Sequence, residues 1–535
     1  MKNKNRNASS VKKARATCGR CALGALSLLL ATTAFAREEN PSQWYNDGQA
    51  EPQRALQRKP NEAQAKNIIL FLGDGMGIST VTAARIFDGQ LRSESGEENS
   101  LAFEQLPYVA LSKTYETNQQ VADSAGTMTA IMTGIKTKAG VIGLNQYVER
   151  GNCKSGQGKN METLLEQAEK LGKSTGVVTT TRLTHATPAA TYAHAADRNW
   201  ESDRDIPEGE RAAGCKDIAR QLIEFPIGNG LEVAFGGGRS KFVPDTVTDP
   251  EAANQKGERL DGRDLTQEWV QKYPHSAYVW NTQQFAALDP AKVEHVLGLF
   301  NPSHMSYDKG RGQDAGGEPS LVEMTRKAID ILKKNPKGFF LMVEGGRIDH
   351  AHHAGNAFHA LDETREFANA VRTALQQTDT KDTLVIVTAD HSHVLTIAGD
   401  AKRGNPILGK VVGSDETDKP SDEPAKALDE LPYTTLSYSN GPGAIAVRDA
   451  TKKERARRDL SNVDTAAPDY LQQALVPLAA ETHGGEDVPI YAGGPWAQLF
   501  QHTVEQNYIF HVMRYAMTAP SKAVPKKASA PKRAQ

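Results

Sequence analysis

At 535 residues the chain is long enough to bury a large core, as one big α/β domain or as two domains. Its 39% hydrophobic and 24% charged content are ordinary globular values. The formal net charge is −2, and setting aside the seven Lys/Arg of the first 36 residues, which hold no acid, leaves −9, an acidic balance that argues against nucleic acid as the main partner.

Along the chain, a basic stretch ends near Arg20, the apolar run CALGALSLLLATTAFA follows, and Ala34-Phe35-Ala36 is a small-x-small cleavage site. This pattern predicts a secretory signal over 1–36, because the apolar run falls short of the ~20 residues a spanning helix needs. No later stretch is long and apolar enough to cross a membrane. The expectation is therefore an exported protein without a membrane anchor, periplasmic or secreted. Cys18 and Cys21 fall inside the signal, so Cys153 and Cys215 remain; in an oxidising compartment they suggest one disulfide. No CxxC survives beyond the signal, which disfavours a zinc ribbon.

Residues 37–65 are polar and read as an arm or a loosely packed helix. Short apolar runs then recur that suit strands buried on both faces: 67–73, 176–181, 233–237, 338–345, 383–390, 443–447 and 488–494. Amphipathic segments separate several of them. METLLEQAEKLG puts Leu164, Leu165, Ala168 and Leu171 on one face and stops at Gly172, and LVEMTRKAIDILKKN precedes the FFLMVE run. Strands alternating with helices predict an α/β sheet with helices on both faces. The Gly/Pro/Asp-rich stretch at 400–440 reads as an inserted surface region, and the Ala/Pro/Lys-rich tail 518–535 as disordered.

Three apolar runs end in acids: NIILFLG in Asp74, FFLMV in Glu344 and then Asp349, and TLVIVTA in Asp390-His391. Any one of these acids would serve as a helix cap or a turn residue. In a parallel sheet, however, the carboxyl ends share one rim, where open α/β folds bind ligands. Imidazole with carboxylate suits zinc, and oxygen-only sets suit magnesium. VADSAGTMTAIMTG places Ser124 at a helix start, where backbone N–H groups and the helix dipole favour anions, although taken alone the stretch reads better as a plain cap by Asp123 or Ser124. THATPAATYAHAADR adds His185, Thr187 and Arg198, the last a residue type suited to phosphate oxygens. ETHGGEDVPIYAGGP puts His483 just before an apolar run. Neither a GxSxG elbow nor a GxxxxGK[ST] loop is present.

These blocks, with GDGMG at 73–77, resemble the alkaline phosphatase family from Lys66 to Ala516. VEGGRIDHAHH, VTADHSH, TQEWV, YVWN, NGPG and ETHGGEDV resemble its animal type. The resemblance implies a three-layer α/β/α sandwich with a large, mostly parallel sheet, a catalytic domain over 66–517 and a crown-like insertion at 400–440. It implies hydrolysis of small phosphomonoesters by two zinc ions and one magnesium, with Ser124 as the phosphorylated nucleophile and Arg198 clamping the phosphate. Asp349, His353 and His483 correspond to one zinc site, Asp74, Asp390 and His391 to the other, and Asp74, Thr187 and Glu344 to magnesium. His185 and His350 correspond to residues acting near magnesium and phosphate through water. A calcium site corresponds to Glu251, the Phe300 carbonyl, Asn301 and Glu318, with one negative charge fewer than the family carries. Cys153 and Cys215 align with a family disulfide, and the family is commonly homodimeric. His352 and His393 match no ligand position. The rival readings are a superfamily relative acting on phosphodiesters or sulfate esters, and a non-catalytic phosphate- or metal-binding protein; Ser124 with Arg198 favours monoesters over the first.

Overall fold

The structure is a computed structural model and describes residues 40–414, 419, 421, 423–444 and 457–520. The expected signal at 1–36 and tail residues 521–535 lie outside the described residues, as do 445–447 of the strand expected at 443–447. The described Ala444 forms an isolated bridge with Ala474.

The described chain forms two units, one ending at Leu56 and the other beginning at Gln57. The helix α1 (Pro41–Gln57), in the first unit up to Leu56, buries none of its residues, in keeping with its polar sequence. In the second, ten strands make one sheet: β1 (Asn67–Gly73), β2 (Tyr108–Lys113), β3 (Ser174–Arg182), β4 (Val233–Gly237), β5 (Ser276–Val279), β6 (His295–Leu299), β7 (Phe339–Gly345), β8 (Thr383–Thr388), β9 (Val488–Gly493) and β10 (Thr503–Glu505). Their order is β10-β2-β9-β8-β1-β7-β3-β4-β6-β5. Neighbours pair in parallel except β9, which runs antiparallel to both β2 and β8.

The central strands are apolar throughout because both faces are covered. Ile68, Leu70 and Leu72 of β1 enter one core with Met128 and Ile131 of α3 (Ser124–Thr133), Leu164 and Leu165 of α4 (Leu164–Lys170), and Ile509 and Met513 of the C-terminal helix Tyr508–Thr518. Ile69 and Phe71 enter the other with Ala83 and Ala84 of α2 (Ile78–Gln90) and with residues of the helices Leu321–Leu332 and Ala357–Gln377. At about 3–5 kcal/mol for a Phe→Ala truncation, Phe71 alone is a sizeable fraction of a domain's net stability.

Two expectations need correcting. Leu171 does not join the buried face of α4; the helix ends at Lys170 and Leu171 is its exposed C-cap, followed by Gly172 at φ +70°. The 400–440 stretch is not wholly superficial: Ile407, Leu408 and Val411 are buried, and it leads into the strand Leu436–Gly441 of a separate three-stranded sheet with Leu395–Ile397 and Ala474–Pro477.

Candidate active site

Four adjacent strands, β8-β1-β7-β3, deliver their carboxyl ends to one rim. Asp74 follows β1, Glu344 sits at the end of β7 in register with Leu72 and Thr179, and Asp390 and His391 follow β8. Beyond β3, the four-residue helix α5 (Ala186–Ala189) carries Thr187, with His185 as its N-cap. His483 reaches the same rim from the other direction. It precedes β9, whose antiparallel sense puts its beginning beside the end of β8. His483 and Gly484 there pair with Ser392 and His393.

Three groups of ligand-type side chains gather on this rim: Asp349, His353, His393 and His483; Asp74, Asp390 and His391; and Asp74, His185 and Glu344. The first two meet where the His391 and His483 rings stack at 3.6 Å, and the second and third share Asp74. Thr187 Oγ1 donates to Asp74 Oδ2 at 3.4 Å. Ser124, the first residue of α3, lies with its Oγ 3.2 Å from His391 Nε2, which is itself 3.3 Å from Asp74 Oδ1 and 3.4 Å from Asp390 Oδ2.

The arrangement is built for cations. His353 Nδ1 faces the Glu481 carbonyl at 2.6 Å and His483 Nδ1 the Ala122 carbonyl at 2.7 Å, so each ring carries its proton there. Their Nε2 lone pairs then face each other at 3.0 Å, both near Asp349 Oδ1. Lone pairs and a carboxylate converging in this way repel unless a positive ion sits among them. Asp74 Oδ1, Asp390 Oδ2 and Glu344 Oε1 are likewise buried without a hydrogen-bond partner. Burial, then the charges of Asp390, Asp349 and Glu344, raise the Asp74 pKa well above the carboxylate range, and burial foremost pushes Glu344 up to about 7. So much unrelieved negative charge fits dications. Imidazole-plus-carboxylate sets suit zinc, and the oxygens of Asp74, Glu344 and Thr187 suit magnesium.

Arg198 adds the anion-binding half. Its Nη1 donates to Asp123 Oδ2 at 3.0 Å, and its Nη2 faces His185 Nε2 at 3.2 Å. Asp123 is indeed the α3 N-cap, accepting from Gly126 N, but its second oxygen holds the arginine beside the serine. His350 pairs through Nδ1 with Arg347 Nη1 at 2.9 Å and lies 5.5 Å, ring to ring, from His185.

His393 belongs to the site although no ligand position pointed to it. It bridges Asp349 Oδ1 at 2.8 Å and Glu481 Oε2 at 2.6 Å. Burial alone would lower its pKa, but these two bonds outweigh it and push the ring up to about 9, so both nitrogens donate. Its ring also explains Gly75, whose φ of +68° and missing β-carbon leave room for it. The legible signal was its place two residues after His391, with Glu481 two before His483. His352 is different: both nitrogens are taken, by Thr80 Oγ1 at 3.0 Å and Tyr438 Oη at 2.8 Å, and it packs in the interior.

Elsewhere, Cys153 and Cys215 are disulfide-bonded. Glu251, Asn301 and Glu318 gather past β6 together with Asp314, whose carboxyl is pushed up to about 7 by burial and the bond with Glu251. Asn301 spends its amide oxygen on Ser303 N and its amide nitrogen on Glu318, and Glu251 accepts from Arg239. Asn301 and Glu318, two of the expected residues, thus stand side by side. No helix among the described residues is long and apolar enough to cross a membrane.

Comparison with known proteins agrees with this geometry. The family model described as alkaline phosphatase matches residues 65–519. The chain is 48% identical over 487 residues to the tissue-nonspecific alkaline phosphatase isozyme of Rattus norvegicus, covering 90% of this chain and 89% of that protein. It is 46% identical over 487 residues to the alkaline phosphatase of Gadus morhua, covering 90% and 98%. The crystal structure of Thermus thermophilus alkaline phosphatase shares the fold, with a TM-score of 0.59 at 23% identity over 87% of this chain and 94% of that one. A rim of buried carboxylates and imidazoles around a serine at a helix start, on a sheet of this topology and with these relatives, places the chain in the alkaline phosphatase family, as a phosphomonoester hydrolase.

Proposed function

We propose that the chain cleaves phosphomonoesters in two displacements through a phosphoserine on Ser124, in a site holding two zinc ions and one magnesium. The observation that carries this reading is Ser124 Oγ at 3.2 Å from His391 Nε2, inside the Asp74, Asp390 and His391 group and beside an arginine already bound to Asp123. Asp349, His353 and His483 would hold one zinc, Asp74, Asp390 and His391 the other, and Asp74, Thr187 and Glu344 the magnesium. Zinc supplies Lewis acidity that makes a serine hydroxyl a nucleophile near neutral pH and offsets charge on the departing oxygen.

The chain's own groups do the rest. With one N–H on Asp123 and one towards His185, Arg198 keeps three N–H donors for the non-bridging phosphate oxygens. They offset charge on the transferring group where phosphoryl transfer needs it. Ser124 begins α3, so the positive end of the helix dipole favours both the alkoxide and the phosphoserine. In the first displacement the Oγ–P bond forms as the ester P–O bond breaks. Water then attacks the phosphoserine and Ser124 leaves, giving net retention at phosphorus. His185 and His350 act on this site through water. The disulfide supports export, since such bonds persist in oxidising compartments.

Rapid-quench labelling with a phosphorus-labelled aryl phosphate, alongside metal analysis, tests the reading. Stoichiometric label on Ser124, lost in Ser124→Ala together with most turnover, is the expected result. Near-normal turnover in Ser124→Ala would overturn the covalent route.

A further inference from the structure

Glu116 lies in the loop between β2 and α3 and is only 5% exposed. Neither of its carboxyl oxygens meets a donor in hydrogen-bond geometry. Its neighbour is Asp123, whose side chain and backbone N–H both lie against it. The acid is seated against the first turn of α3: a β-carbon at Gly126 would overlap Glu116 Oε1 and press the Lys138 carbonyl at 3.1 Å. Glycine at 126 thus makes room for a buried carboxyl two residues from the serine.

Two carboxylates in contact away from water cannot both stay ionised. Asp123 has the better claim to the charge, because it accepts from Gly126 N at 3.0 Å, Gly140 N at 2.9 Å and Arg198 Nη1 at 3.0 Å. Glu116 has at most the Asp123 N–H beside it and keeps its proton, which leaves it an O–H to give. The charges around the pair agree. Arg198 donates to Asp123 and pulls on Glu116 less than the Asp123 charge pushes it, while Lys136 is occupied by Glu505 and by the Tyr115 ring. Burial would raise Asp123, yet Arg198, the bond from Glu116 and the two backbone N–H groups hold it at about 2. Burial and then the Asp123 charge push Glu116 up to about 10.

We propose that Glu116 is a positioning residue: as a neutral acid it donates its O–H to Asp123, completing the set of bonds that aims the Arg198 guanidinium at the phosphate. It never touches substrate. The proposal rests on the reading that Arg198 clamps phosphate.

Competitive inhibition by inorganic phosphate on the metal-loaded enzyme separates the two ideas. Arg198→Ala is expected to raise the inhibition constant on the order of tenfold or more. If it does not, the clamp reading fails. Given that loss, Glu116→Ala should raise the constant about 3- to 10-fold. Glu116→Leu, which fills the space without a donor, should do the same. Glu116→Gln, whose amide can donate to Asp123, should recover most of the affinity. In the Arg198→Ala background, Glu116→Ala should add nothing further, because both changes act through one guanidinium. An Arg198→Ala effect without any Glu116→Leu effect would overturn the proposal. So would Glu116→Gln losing as much as Glu116→Leu, or a Glu116 effect undiminished without Arg198.

Discussion

A histidine's role here follows from which nitrogen its neighbours leave free. His353 and His483 spend Nδ1 on carbonyls and turn Nε2 inward, whereas His393 spends both nitrogens on carboxylates. His393 therefore orients Asp349 rather than offering a lone pair. His393→Ala should weaken zinc binding roughly 10- to 100-fold, read by chelator competition and metal content. An unchanged affinity would mean that Asp349 needs no such support. Glu116 supplies a pH prediction. Its folded pKa of about 10 lies above the ordinary 4.5, so across that interval the folded chain keeps a proton that the unfolded chain has lost. Stability from this group is full below about pH 4.5 and falls as pH rises towards 10. Glu116→Gln should flatten that slope and unfold at higher urea than the parent at pH 8. A parallel urea–pH profile in the two proteins would contradict it.

Elements differ in how plainly they announce themselves. β1, β7 and β8 are buried on both faces, so each reads as an unbroken apolar run. β2 alternates buried with partly exposed positions, and β5, with four residues, and β10, with three, sit at the two edges. None of these three gives a continuous apolar signal. β6 is fully buried, yet its five residues begin with His295, which ties Nδ1 to the Leu231 carbonyl and breaks the pattern. Helix starts are more local. Ser320 Oγ accepts from Glu323 N while Glu323 Oε2 accepts from Ser320 N, a reciprocal cap on the helix Leu321–Leu332, apart in sequence from the residues of the carboxylate–imidazole rim. Ser320→Ala should cost about 1 kcal/mol in urea unfolding and leave turnover in buffer unchanged. A drop in turnover without loss of stability would argue against a purely structural cap.

For the whole molecule, the disulfide and the proposed metal ligands fall in the same region. Cys153 and Cys215 close a loop with a separation of 62 residues, and that loop carries His185, Thr187 and Arg198. Loop-closure entropy puts its loss at about 4 kcal/mol, so a Cys153→Ser, Cys215→Ser double variant should melt well below the parent. Its phosphate affinity should fall as well if the loop positions Arg198. Chelation should also lower the melting temperature, because Asp74, Asp390 and Glu344 then face one another buried and uncompensated. Zinc with magnesium should restore it. A chelated protein that melts with the untreated one would show that the rim tolerates its charges unaided.

The sequence by itself determined the layered α/β architecture, since apolar runs of strand length can be satisfied only between two helical layers. It also identified Asp74, Glu344, Asp349 and Asp390 by their places after such runs, and the alkaline phosphatase family through its motifs. Only the tertiary structure decided which atoms meet. Strand order brings β8, β1, β7 and β3 side by side, and the reversed sense of β9 carries His483 to their rim. His393, Glu481 and Glu116 were hidden for one reason: each acts through a partner distant in sequence or around a helix start, and a side chain's hydrogen-bonding duty is set by what faces it after folding.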